Sequence, residues 1–130
     1  MAYEVEVILM RQVASYLAMP IFIVDPTGDL IYFNEPAEEL LGRRYEESGE
    51  MPVEEWSTMF TPTDDDGTPI PPGGLPLVVA LQQGQPAHDR FWIRGLDGTR
   101  RHLSVTAFPL IGQHERHLGA VAMFWQDSAT

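Results

Sequence analysis

Residues 87–126 constrain the fold more than any other stretch, because they read as three consecutive β-strands whose apolar residues cannot all share one side. The strands are predicted over 87–94, 100–110 and 116–126, and the Asp97-Gly98 pair in the first connection is a strong hairpin signal. In the first strand Phe91 and Ile93 alternate with Arg90, Trp92 and Arg94; in the second Leu103, Val105 and Ala107 alternate with His102, Ser104 and Thr106. The odd positions therefore face a core. For both odd sets to share that face, the numbers of paired residues must sum to an even value, which requires an odd-length or bulged connection. The third strand is apolar on both faces, so it is expected at the centre of the sheet. Val121, Met123 and Trp125 are assigned to the core side, and Ala120, Ala122 and Phe124 to the outer side.

The chain before these strands supplies helices to pack against them. Val5, Ile8, Leu9, Val13, Tyr16 and Leu17 recur at spacings of three and four, predicting an amphipathic helix over 3–17 that Pro20 stops. Two short apolar runs, 21–25 and 30–33, flank Pro26-Thr27-Gly28-Asp29 and predict a hairpin. Asn34 can cap a following helix that Gly42 ends. Residues 52–60 predict another short helix presenting Trp56, Met59 and Phe60, and 75–84 one with Leu77, Val78 and Leu81 inward. Between them the proline-rich segment 61–74 is expected to be loop. The amphipathic helix is the expected cover for the outer sheet face, laid over Trp92, Phe108 and Phe124 in the same chain or swapped between two chains.

Composition removes several kinds of chemistry. With 130 residues and 44% hydrophobic content the chain can bury one core unaided. The expected organisation is an N-terminal helix over 1–18, for dimerisation or sheet cover, and one domain over 19–130. The absence of cysteine excludes disulfides, thiolate chemistry and Cys-ligated metals. All eight bases are arginine, so lysine chemistry is excluded too, and a net charge of -11 disfavours nucleic acid and anionic membranes as partners. No basic flank precedes an apolar stretch at the N-terminus and no run approaches the ~20 residues of a span. A soluble, cytoplasmic protein is the expectation.

No catalytic constellation emerges, and no enzyme is expected. His114 and His117 stand in a hairpin loop with only Glu115 beside them, a spacing that fixes no metal geometry. His88, Asp89 and His102 lack a nucleophile or an oxyanion donor. Asp64-Asp65-Asp66-Gly67 lacks the later ligands of a calcium loop.

Element order and two groups of motifs resemble the PAS domain family over about Leu17 to Asp127. The stretch IFIVDPTGDLIYFNEPAEELLG is similar to the family's D-x-x-G-x-[IL] hairpin followed by its N-x-x-A-x-x-L-x-G helix, and 91–113 with 117–127 resemble its last three strands. The resemblance implies an α+β fold: a five-stranded antiparallel sheet with short helices on its concave face, a pocket between them, and sensory or signalling work. Particular side chains decide what such a pocket holds. The flavin branch uses a helical cysteine and strand amides; this chain has no cysteine, and Ile93, Leu103 and Trp125 stand where the amides would be. The haem branch takes an axial histidine from the long helix or the loop before it, and no histidine lies between Phe60 and Gly84. The dicarboxylate branch needs cationic pocket groups, also missing.

The predicted pocket lining is Phe22, Val24, Leu40, Trp56, Met59, Phe60, Val78, Leu81, Phe91, Ile93, Leu103, Val105, Val121, Met123 and Trp125. Such a space is filled by its own side chains or by an apolar ligand such as a fatty acid, with Arg90, Arg94 or His102 at a polar rim. The predicted dimer-interface residues are Val5, Ile8, Leu9, Val13, Trp92, Phe108 and Phe124. The leading expectation is a regulatory module that binds no cofactor, acts as a homodimer, and signals to a protein in trans or to an output domain outside this chain. The family's closing D-[IV]-T triplet is matched only by Asp127 in Asp127-Ser128-Ala129. An apolar-ligand binding module is the second reading, and a small cone-fold enzyme using His88 or His102 the third.

Overall fold

The computed structural model describes residues 5–42, 44–95 and 98–126, apart from the side chains of Leu41, Glu47, Ser48, Thr58 and Met59. Its elements are α1 (Val5–Tyr16), β1 (Ile21–Val24), β2 (Leu30–Phe33), α2 (Glu35–Leu41), α3 (Tyr45–Ser48), α4 (Val53–Met59), α5 (Pro76–Gln83), β3 (Ala87–Arg94), β4 (Arg100–Ile111) and β5 (His117–Gln126). Short 3-10 turns occupy Pro72–Gly74 and Gln113–Glu115. The proline-rich segment thus contains one helical turn where loop was expected.

The five strands form one antiparallel sheet in the order β2-β1-β5-β4-β3, so the strand that is apolar on both faces does sit at the centre. On β3 and β4 the register joins Phe91 to Leu103 and Trp92 to His102, the even sum that a shared odd face demands. Phe91, Ile93, Leu103 and Val105 are all buried in one cluster.

The β4–β5 register corrects the expectation for the third strand. Val105 pairs with Phe124 and Ala107 with Ala122, so Ala120, Ala122 and Phe124 face the core while Val121 and Met123 face outward. A bulge between Leu110 and Ile111 is the cause. Ile111 pairs with His117 on the turn side, and past the bulge Leu110 pairs with Gly119, a shift of one residue that exchanges the two faces of a strand with period two. Hydrophobic pattern could not reveal this, because β5 is apolar on both sides.

Two cores result, one on each side of the sheet. The inner core collects Phe22, Val24, Leu30, Phe33, Trp56, Phe60, Leu77, Val78 and Phe124 between the sheet and α2–α5. Phe22 meets Phe124 edge to face at 5.0 Å and Phe33 at 5.7 Å, contacts worth about 1 kcal/mol each beyond their burial. The outer core is made by α1, whose Val7, Met10 and Ala14 pack against Ile21, Ile23, Ile31, Leu118 and Val121. The cover therefore comes from the same chain, and it lies over Phe108 rather than over Trp92 or Phe124. It also presents the face opposite to the predicted one. Val5, Ile8, Leu9, Val13, Tyr16 and Leu17 stay exposed, because the β-branched outer residues of β1 and β2 accept the slimmer Val7–Ala14 edge.

Two residues hold the layers in place. Asn34 caps α2 by accepting from Ala37 N at 3.2 Å, accepts from Ile21 N at 3.0 Å, and donates to the carbonyls of Ala14 and Met19 at 2.9 Å each. One buried amide thereby joins the end of α1, the start of β1 and the start of α2. Gly119, at φ 133°, lets β5 approach β1: a Cβ there would stand 1.9 Å from the Val24 carbonyl oxygen.

Candidate functional site

Between the concave face of the sheet and the helices above it lies a partly open cavity of about 70 Å³. Its walls are Phe22 of β1, Trp56, Ser57 and Phe60 at α4, Pro62, Leu75, Leu77 of α5, Phe91 and Ile93 of β3, Leu103 and Val105 of β4, and Ala122 and Phe124 of β5. Trp56 is held by its indole N–H, which donates to the Gly28 carbonyl at 2.8 Å. That contact ties α4 to the β1–β2 turn. Gly28 has φ 94°, a conformation a side chain rarely adopts, and α4 packs directly on it through Val53.

Of the predicted lining, Phe22, Trp56, Phe60, Phe91, Ile93, Leu103 and Val105 surround this cavity. Val24 and Val78 are buried in the same core beside it, and Leu40 and Leu81 pack on its margin. The side chain of Met59 lies outside the described residues. Val121 and Met123 are corrected to the outer side by the β4 bulge, and Trp125 stands 38% exposed on the outer side at the sheet's end. Phe124, assigned above to the dimer interface, is a cavity wall. Sequence reasoning also missed Ser57, Pro62, Leu75, Leu77 and Ala122 as lining. Pro62 sits in a segment whose only sequence signal was loop, and Ser57 is a polar residue inside a helix presenting aromatic side chains.

Among the described residues Ser57 is the one polar side chain in the wall. It is 2% exposed, and its Oγ has no hydrogen-bond partner among the described residues. A buried hydroxyl left unsatisfied costs about 1–3 kcal/mol. Among the described residues no titratable group lines the cavity. Among the described residues no group of three or more His, Asp or Glu side chains could hold a metal ion.

The titratable groups that shift lie elsewhere. Partial burial, then the carboxylates of Asp25, Glu50 and Glu54, raise the Asp29 carboxyl above its ordinary value, against a lowering hydrogen bond with Thr27. Burial raises the phenols of Tyr32 and Tyr45, and Arg11, whose guanidinium lies 5.0 Å from the Tyr32 ring, opposes both shifts. The Tyr45 hydroxyl donates to Ile31 O at 2.6 Å. These groups brace the β1–β2 hairpin rather than face the cavity.

The outer side offers a second candidate surface in two parts. On α1, Val5 is 62% exposed, Ile8 48%, Leu9 53% and Val13 50%, a run of apolar side chains opposite the buried Val7 and Ala14. At the β3 edge, Trp92 is covered instead by the loop after α4, whose Thr63 exchanges two backbone hydrogen bonds with it at 2.8 and 2.9 Å. Arg90, Arg94 and His102 project on this outer side, by the strand alternation that turns Phe91, Ile93 and Leu103 inward, so none forms a polar rim to the cavity. The Asp127-Ser128-Ala129 triplet lies outside the described residues.

This architecture is that of a PAS domain, and comparison bears it out at two levels. The family model described as "PAS domain" matches residues 18–128. The chain belongs to the PAS domain family, a family of sensory and signalling modules. Solved structures of similar fold include a PAS domain from Colwellia psychrerythraea (TM-score 0.66, 17% identity, 94% of this chain and 97% of that one). The PAS domain of nitrogen regulation protein NR(II) from Vibrio parahaemolyticus is similar over 92% and 98% of the two chains, with TM-score 0.63 and 21% identity. The LOV domain of a blue-light activated histidine kinase from Erythrobacter litoralis is similar over 85% and 96%, with TM-score 0.65 and 18% identity. Comparison with curated proteins gives no match. Among the described residues, no helix is long and apolar enough to cross a membrane.

Proposed function

We propose that the chain is a sensory or regulatory PAS module that works as a homodimer through the exposed face of α1 and passes a change of state to a protein partner. The observation that carries this reading is the stripe Val5, Ile8, Leu9 and Val13. A helix that already buries one edge on its own sheet has no need of four more exposed apolar side chains, and a contiguous apolar surface of this kind marks a contact site. Asn34 supports it by linking the end of α1 to α2, so a shift in the helices above the cavity reaches the outer helix through one side chain. Signalling by this module needs no resident cofactor: apolar Ile93 and Leu103 line the cavity where the resemblance implies amides in flavin-binding members, and a space of about 70 Å³ lies well below the ~300–1,000 Å³ of ordinary ligand sites. Native mass spectrometry of the purified protein tests the proposal. A mass of twice 14.6 kDa is expected; a monomer alone at high micromolar concentration overturns it.

A second reading is favoured by Ser57. An unsatisfied hydroxyl in an otherwise apolar cavity suits a small apolar molecule carrying one hydrogen-bonding group. A fatty-acyl chain would require the cavity to expand by displacing side chains. The same spectra decide the matter, since a bound molecule adds its mass in native conditions and appears free on denaturation.

A further inference from the structure

The eight arginines of this acidic chain are not spread evenly: Arg90, Arg94, Arg100, Arg101 and Arg116 all fall on or beside β3–β5. α1 covers β1, β2 and the turn-proximal half of β4, through Ile21, Ile31, Phe108 and Leu110; the outer side of β3 and the start of β4 lies beyond it, with Arg90, Arg94 and Arg100 exposed and Ser104 buried beneath their neighbours. The register sets out what stands there. Arg94 lies opposite Arg100, Trp92 opposite His102, and Arg90 opposite Ser104, which in turn pairs with Trp125. The Arg100 guanidinium lies 4.1 Å from the Trp92 ring centre, and the Trp92 and His102 rings are 4.7 Å apart. Arginine and tryptophan side by side are the residue types that dominate protein contact energies.

The surface already holds one carboxylate. Asp65, on the loop after α4, accepts from the Trp92 indole N–H at 3.2 Å and lies 3.7 Å from His102 Nε2, while its own side chain remains 87% exposed. The loop that delivers it leaves α4 through Thr61 at φ 43°, a left-handed conformation that is unfavourable for a β-branched residue. Asp64 pins the loop's turn by accepting from Asp66 N and Thr68 N at 2.9 Å each. An acidic segment of the chain is thus seated, at some backbone cost, on a cation–aromatic face.

We infer that the outer face of β3–β4, centred on Trp92, Arg94 and Arg100, is a docking site for an acidic segment of a partner protein, and that Asp65 is a tethered competitor for it. Charge complementarity selects this occupant. Asp65, the side chain already seated beside Trp92 and His102, is the kind of group such a face accepts. Asp89 is the nearby opposing charge on β3, and its odd position turns it to the other face.

The test uses the full chain and a synthetic peptide of its own residues 61–70, which carries the three aspartates, followed through the indole N–H signals of the three tryptophans by NMR. With Asp65→Asn protein, the Trp92 and Trp125 signals are expected to move saturably while that of Trp56, bonded to Gly28 inside the core, stays fixed and reports the fold. Wild-type protein should bind at least about threefold more weakly, since the seated loop reduces the competent fraction. Arg90→Gln/Arg94→Gln/Arg100→Gln protein should lose binding by about tenfold or more. No movement at millimolar peptide overturns the proposal, as does equal movement with a peptide whose aspartates are asparagines. Movement with protein concentration alone reassigns the face to a second copy, and tighter binding of a single-stranded oligonucleotide reassigns it to nucleic acid.

Discussion

The side-chain amide of Asn34 donates to the main-chain carbonyl of Ala14 at 2.9 Å, across twenty residues of sequence. It closes the last turn of α1 from outside that helix and places the attachment of the outer helix under the control of a residue that also caps α2. Asn34→Ala removes four hydrogen bonds at a buried position and should cost about 3 kcal/mol, combining a lost cap with orphaned backbone groups. Asn34→Asp keeps the acceptor and loses both donors, so α1 should detach while the inner core persists. Urea unfolding measures the first effect, and hydrogen exchange at the amides of α1 the second.

Gly119→Ala tests the close approach of β5 to β1. A Cβ 1.9 Å from Val24 O cannot be relieved by a side-chain rotation, because the obstacle is backbone. Loss of about 3 kcal/mol or more, or failure to fold, is expected. Gly98→Ala is the matched control, with φ 83° and no atom within 4 Å of the added methyl; it should cost only about 1 kcal/mol. Thermal melts of the two variants give the comparison directly.

The sequence made the central place of β5 and the parity of the β3–β4 pairing legible, the latter because odd and even residues there differ in polarity, with Phe91 and Ile93 against Arg90 and Arg94. It could not place the faces of β5. Val121 and Phe124 are equally apolar, and the deciding feature is the bulge opposite Leu110–Ile111, where Gly119 is the one local signal and does not by itself fix which residue is extra. The same limit applies to α1. Its large apolar residues recur at helical spacing, yet the sheet takes Val7, Met10 and Ala14. Helical periodicity identifies a stripe; which stripe meets the sheet depends on the shape of the surface it meets. The cavity walls on β3 and β4 followed from alternation, while Pro62 enters through the path of a loop and Ser57 through the rotation of α4, both of which only tertiary packing determines.

Asp29 supplies a pH signature. Its folded carboxyl is raised above the ordinary value, so the folded state holds the proton more tightly than the unfolded chain and ionisation of Asp29 works against folding. Below the ordinary value of 3.8 both states are protonated and the penalty vanishes; it grows as pH rises through the raised value and is constant above it. Asp29→Asn should therefore stabilise the protein at neutral pH, by a few tenths of a kcal/mol given the solvent screening of this turn. That gain should fade as pH falls below the carboxylate range. Urea midpoints across pH 3 to 7 measure it.

Ser57→Ala separates a dry cavity from an occupied one. Removing an unsatisfied buried hydroxyl from an empty apolar space should leave stability unchanged or raise it by up to about 1 kcal/mol. If the hydroxyl holds a bound molecule, the same substitution lowers the melting temperature and that molecule no longer copurifies.

Sedimentation equilibrium of the wild-type chain beside Leu9→Glu tests the central claim most directly. Leu9 is 53% exposed, so a glutamate there leaves the fold intact, as an unchanged melting curve will show, while placing charge in the middle of the proposed contact. A wild-type dimer in the micromolar range that becomes a monomer in Leu9→Glu is the predicted result; a wild-type monomer at high micromolar concentration, or a dimer indifferent to the substitution, contradicts it.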